Sequence, residues 1–216
     1  GILCLTATMT LFLLATRILL QIMLQMLATL INASVADKAR KTMFATPGRY
    51  KIANALLLKA AWLCCVLGGV AFGAPALAVM FLVSFWQSEL QEDLPHVALL
   101  GAIGLCLDTL WMYVGVLDYG SAAIALPFGL TLAPAWIVML WLAVGLSIRH
   151  SLIFMVNRPL LGALIVGCGS PLSYLTGEQF GAVAIPSMEG LYILGGVWIL
   201  LFFWVFNRAK TQLTAG

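Results

Sequence analysis

Hydrophobic residues along this chain collect into long runs, and polar residues collect into the gaps between them. The first run covers residues 2–31 and is followed by a polar linker at 32–51. A second run, 52–72, leads through Gly73, Ala74 and Pro75 into a shorter run ending near Trp86, which predicts a hairpin that crosses and returns. Pro95 and His96 open a fourth run that reaches Leu117, and further runs cover 132–147, 160–174 and 191–206. A membrane-crossing helix needs about 20 apolar residues, so the pattern predicts an all-α bundle of about seven spans. The run at 77–86 is short for a hydrocarbon layer of about 30 Å, and its outer end is expected to extend or tilt.

Composition agrees with the pattern. Of the 216 residues, 63% are apolar and 9% charged, against roughly 45–50% and 25% in soluble domains. The predicted organisation is an added N-terminal transmembrane helix with a basic linker over residues 1–50, then a six-helix transmembrane domain over 51–216.

The net charge of +3 changes the picture only through its placement. Lys38, Arg40, Lys41, Arg49 and Lys51 fall in the first gap, Arg149 and Arg158 in a later one, and Arg208 and Lys210 after the last run. Nine of the 11 basic residues therefore fall in every second gap, the alternation that cytoplasmic loops impose. The N-terminus is expected outside and the C-terminus in the cytoplasm, as in a multi-pass protein of the bacterial inner membrane. Basic residues at span ends, and on no soluble face, exclude nucleic acid as a partner. The bilayer is the expected partner, with the first helix a surface for a membrane protein. Cys4, Cys64, Cys65, Cys106 and Cys168 lie within apolar runs and read as small packing residues.

Asp108 carries the most information of any single residue. It stands twelve residues after His96, which by helical rise places it near the middle of its predicted span. A carboxylate there must face the bundle interior and find a partner or a proton. Gly101, Gly104, Trp111 and Gly115 share its helical face and predict close packing. Arg17, roughly 22 Å deep, and Lys59, roughly 12 Å deep, are the basic side chains that could reach it; each could instead snorkel to an interface. The segment from Gly167 through Cys168, Gly169, Ser170, Pro171, Leu172 and Ser173 to Tyr174 predicts a kink, because Pro171 has no N–H for the carbonyl of Gly167. Freed backbone groups and the Ser170, Ser173 and Tyr174 hydroxyls could line a polar centre with Asp108.

Glu89, Glu92, Asp93 and His96, with His150 on the same side, raise a metal reading, but one acid-x-x-His pair falls short of a di-iron site. Capping and the helix dipole explain acids before the span that Pro95 opens. Nucleotide-loop, dinucleotide, nucleophile-elbow and Cys-x-x-Cys patterns are missing, so neither catalytic residues, nor metal, nor cofactor is expected.

Several segments together resemble a known family: residues 54–69 with Trp62-x-x-x-Val66-x-Gly68, Gly104-x-x-x-Asp108, Pro134-x-Trp136-x-x-x-Leu140-Trp141, Ser151-Leu152, and Pro171-Leu172-Ser173-Tyr174-x-x-Gly177-x-x-x-Gly181-Ala182. From about residue 51 to 210 the chain is similar to the bacterial domain-of-unknown-function family 2878. Lys59, and Ser170 where the family pattern has glycine, depart from it. The resemblance implies a small multi-spanning inner-membrane protein, with an association to fatty-acyl modification. The leading expectation is a non-catalytic accessory or lipid-binding protein with Asp108 and the 167–174 segment at its centre. The alternatives are a small secondary transporter with a midplane Asp108 site, and a lipid-modifying enzyme using Asp108 or Glu178 as base near Tyr174 or His150.

Overall fold

The computed structural model describes residues 47–87 and 89–215; the first apolar run and most of the basic linker, with Arg17 and Cys4, lie outside the described residues. The chain divides into compact units at Gly1–Ala53 and Asn54–Gly216, and the second is the one described below. It contains α1 (Pro47–Trp86, whose first residues belong to the other unit), α2 (Leu90–Tyr113), α3 (Ala135–Gly145), α4 (Ile153–Asn157), α5 (Pro159–Gln179) and α6 (Met188–Ala215), with β1 (Ile124–Ala125) and β2 (Thr131–Leu132) forming a small hairpin between α2 and α3. Among the described residues, four helices are long and apolar enough to cross a membrane: Arg49–Trp86, Leu90–Tyr113, Pro159–Gln179 and Met188–Thr214.

The expected hairpin within α1 is present but turns elsewhere. The break is at Gly69 (φ 55°, ψ −138°), in a region open to glycine and closed to most side chains. Beyond it the chain comes back on itself, so that a methyl at Gly73 would run into the Cys65 sulfur and lie in contact with the Cys65 backbone. Pro75 falls inside the second arm, near its start, where a missing N–H disturbs few helical bonds. That arm runs from just after Gly69 to Trp86 and so starts several residues ahead of the apolar run at 77–86.

Other boundaries also differ from the sequence reading. α2 begins at Leu90, ahead of Pro95, and ends at Tyr113, ahead of Leu117. α5 continues beyond Tyr174 to Gln179, with Pro171 inside it. The helix runs through Pro171, where Gly195, with no side chain, lets the Pro171 ring and the Gly167 carbonyl lie against α6. α3 is only 11 residues, about 16 Å long. Its approach, residues 131–134, is extended alongside the end of α2, and side chains replace the missing helical acceptors: Thr131 N–H donates to the Tyr113 hydroxyl at 2.9 Å and Ala133 N–H to Thr109 Oγ1 at 3.0 Å.

Close helix packing depends on glycine. A methyl at Gly101 or Gly104 of α2 would land on Leu142 or on the Trp141 indole of α3, and one at Gly145 on the backbone of Val97. Gly167 serves the α5–α6 pair in the same way against Ile199. Between the pairs lies an aromatic core: Trp141 stacks on Phe202 at 6.0 Å and meets Trp198 edge-on at 5.4 Å, with Trp111 and Phe206 adjoining.

One end of the unit collects polar side chains. The Asn54 amide donates to the Leu146 carbonyl at 3.3 Å, and its oxygen accepts from the Ser151 hydroxyl at 2.6 Å. Arg149 pairs with Glu92 and, at 3.5 Å, with Glu89. Lys210 reaches the Asn157 carbonyl at 3.4 Å. At the other end Asp118 and Ala184 form a bridge between the connections that follow α2 and α5.

Candidate functional site

Asp108 is fully buried, and both its oxygens are engaged. Oδ1 accepts from the Tyr119 hydroxyl at 2.7 Å and the Tyr174 hydroxyl at 2.9 Å; Oδ2 accepts from the Trp141 indole N–H at 2.6 Å. The partners are two phenols and an indole, whereas the sequence suggested a basic residue. Lys59 is exposed on α1 with its ammonium 5.8 Å over the Trp62 ring, away from the carboxyl group. Arg17 lies outside the described residues.

Four elements converge to build this cage. α2 supplies Asp108, and Gly104, one turn earlier, gives Trp141 the room to lie across it. α3 supplies Trp141, held by its stack on Phe202. α5 supplies Tyr174, and the connection after α2 folds back to supply Tyr119, whose ring is edge-on to Trp136 at 5.6 Å. Burial lifts the Tyr119 phenol well above its ordinary range, with Tyr174 and Asp108 adding to the effect, so it stays protonated as a donor. The position along the helix also corrects the sequence reading. Asp108 lies about 27 Å from the start of α2 and about 8 Å from its end. The helix begins five residues earlier than Pro95 implies, so Asp108 sits towards one end and not at the middle.

A partly open cavity of about 170 Å³ adjoins the cage, between α1, α3, α5 and α6. Trp141 and Tyr174 form part of its wall, while Asp108 stands behind them. The remaining lining is apolar and aromatic, including Val66, Leu140, Val144 and Phe202. Its hydroxyl groups have partners. Ser170 donates to Val166, Ser173 accepts from the Trp62 indole at 3.0 Å, and Tyr174 donates to Asp108. Of the residues singled out in the sequence, Asp108, Ser170, Ser173 and Tyr174 therefore gather around one place, and Pro171 backs them by packing on Gly195.

A second polar cluster was attributed to helix capping. Glu92 and Asp93 do lie in the first turn of α2, but Asp93 is fully buried. Its Oδ2 accepts from Ser84 at 2.7 Å and is 2.9 Å from His150 Nε2. Glu89 at the N-cap makes no side-chain capping bond, so only the place of these acids in the first turn fits that reading, and Asp93 forms a buried tie between α1, α2 and the turn after α3. Among the described residues, no three His, Cys, Asp or Glu side chains converge as a metal site. Glu178 is engaged elsewhere, accepting the Ile185 N–H at 2.9 Å. Cys64 and Cys65 are buried packing residues, whereas Cys106 and Cys168 are exposed.

Residues 51–204 match the family described as Protein of unknown function (DUF2878). The chain belongs to this family. The DUF2878 match covers α2 to α5, most of α1 and the larger part of α6, and so includes every residue of the cage and cavity. No curated protein and no solved structure matches the chain.

Proposed function

We propose that this DUF2878 protein is a non-catalytic lipid-binding protein of the bacterial inner membrane, and that the cavity beside Trp141 and Tyr174 holds a segment of acyl chain. The observation that carries this is the cavity itself: an apolar, aromatic-walled space among helices of membrane-crossing length, with its hydroxyls already bonded. An apolar cavity of about 150 Å³ stays dry and takes up a molecule the size of benzene, so one of about 170 Å³ suits a stretch of chain several carbons long. Catalysis is disfavoured because none of the polar groups in the lining is left as a nucleophile with a base beside it.

Seven crossings, with the N-terminus outside and the C-terminus in the cytoplasm, fit the same picture. Arg149 lies with the start of α2 and Lys210 with the end of α4, so the cations of separate connections gather at one end. A place in an envelope fatty-acyl modification pathway, with the first helix as the partner surface, extends this reading.

Native mass spectrometry of the full chain released from membranes tests it. Retained adducts with acyl-lipid masses that disappear in Ser170→Leu and Val144→Phe, which fill the cavity, are the expected result. Bare protein, or adducts equally abundant in both variants, would overturn the proposal.

A further inference from the structure

The hairpin between α2 and α3 exposes an apolar tip. Residues 124–130 are all exposed, with Ile124 at 39%, Leu126 at 38%, Leu130 at 54% and Phe128 at 101%. The ladder is short, pairing Ile124 with Leu132 and Ala125 with Thr131, and the Leu126 N–H donates to the Leu130 carbonyl at 2.7 Å to close the turn. Phe128 at the apex has φ 67° and ψ 21°. That left-handed conformation is natural to glycine and asparagine, and disfavoured for a bulky side chain. The ring gains nothing from the fold in exchange, since it is fully exposed among the described residues. Strain of this kind, at a fully exposed aromatic, points to something outside the chain that receives the ring.

The surroundings identify the receiver. No charged residue occurs between Asp118 and Arg149, and residues 122–130 carry no polar side chain. A protein-binding loop carries a polar rim and side-chain hydrogen bonds, and this tip offers neither. The hairpin is also fixed to the end of a helix long and apolar enough to cross a membrane. Thr131 N–H donates to the Tyr113 hydroxyl, and Leu110, Tyr113 and Val114 around it are themselves exposed at 50%, 57% and 57%. The apolar surface of α2 at Leu110 and Val114 thus adjoins that of the hairpin, with the Tyr113 hydroxyl, Thr131 and the exposed Asp118 at the junction, as suits a headgroup boundary.

We propose that the 124–132 hairpin is an interfacial anchor, with Phe128 and its flanking leucines set into the bilayer beside the end of α2. An apolar element of this kind rests at the boundary of headgroups and acyl chains. It would hold in place the connection that delivers Tyr119 to Asp108, although the anchoring does not depend on what the cavity binds.

Para-fluorophenylalanine placed at position 128 of the full chain in phosphatidylethanolamine and phosphatidylglycerol liposomes tests this by fluorine NMR. The same label at Phe203, exposed at 44% on α6, provides a lipid-facing reference. The expected result is relaxation enhancement by a nitroxide-labelled lipid within about two-fold of that reference, with little from a water-soluble gadolinium chelate. Enhancement by the chelate alone would place the ring in water and overturn the proposal. Enhancement by neither would show the ring covered by protein and overturn it equally.

Discussion

The Trp141 indole N–H donates to Asp108 Oδ2 at 2.6 Å, and it can do so because Gly104, one turn before Asp108, has no side chain. A carboxyl group, a glycine and an indole on two adjacent helices form one unit. The two tyrosines complete it from elements distant in sequence.

Replacing the carboxyl group tests the cage. Asn at position 108 keeps one oxygen for the tyrosines but turns an amide N–H₂ towards the Trp141 N–H. Asp108→Asn should cost about 1–3 kcal/mol, read from unfolding in mixed detergent micelles. Unchanged stability would show that the three hydrogen bonds do not hold the helices together.

The tyrosines share one oxygen, and their contributions should therefore be coupled. Tyr119→Phe and Tyr174→Phe should each cost about 0.5–2 kcal/mol, the range for side-chain hydrogen bonds within membranes. The double variant should cost more than the two losses added, because either phenol alone still satisfies Oδ1 and only the double variant leaves that oxygen bare. Strict additivity in a double-mutant cycle would argue that they act independently.

The glycines separate packing from composition. Gly104→Ala and Gly167→Ala drive a methyl into Trp141 and into Ile199, and overpacking of this kind typically costs about 1–3 kcal/mol. Gly169→Ala lies on the same helix as Gly167 with nothing within 4 Å, so it should leave stability unchanged or raise it. Equal effects at 167 and 169 would contradict the described α5–α6 contact.

At the opposite end of the bundle the buried Asp93 depends on Ser84 and His150. His150→Ala strips the imidazole from a fully buried carboxyl group, and leaving a buried polar group without its hydrogen-bond partner costs about 1–3 kcal/mol. Asp93→Asn together with His150→Ala should recover part of that loss. A mild effect of His150→Ala alone would mean that water or another group reaches Asp93.

Local chemistry made much of this legible in the sequence. The apolar runs anticipated each long helix, because the bilayer demands length and hydrophobicity before anything else. Asp108 stood out since a lone acid among apolar residues needs a reason, and Tyr174 was grouped with it through the Pro171 segment. Tyr119 carried no signal, as it comes from an irregular connection that folds back. His150 and Asp93 are 57 residues apart, and only the packing of α3 on α2 brings them together. The α1 turn was placed on Gly73 to Pro75 because proline marks turns, yet the reversal needed a positive φ, and Gly69 supplied it. The middle position for Asp108 rested on Pro95 as a helix start, and Glu89 and the first turn from Leu90 displace it.

Photolabelling tests the acyl-chain reading most directly. A fatty acid carrying a diazirine, incorporated into membranes that contain the full chain and then irradiated, should label α5 and α3 at cavity residues such as Val166 and Val144. Ser170→Leu should reduce that labelling about tenfold, as expected if filling the space costs about 1.4 kcal/mol of binding or more. Labelling spread over outward residues such as Leu160 and Leu172, and unchanged by Ser170→Leu, would contradict the account.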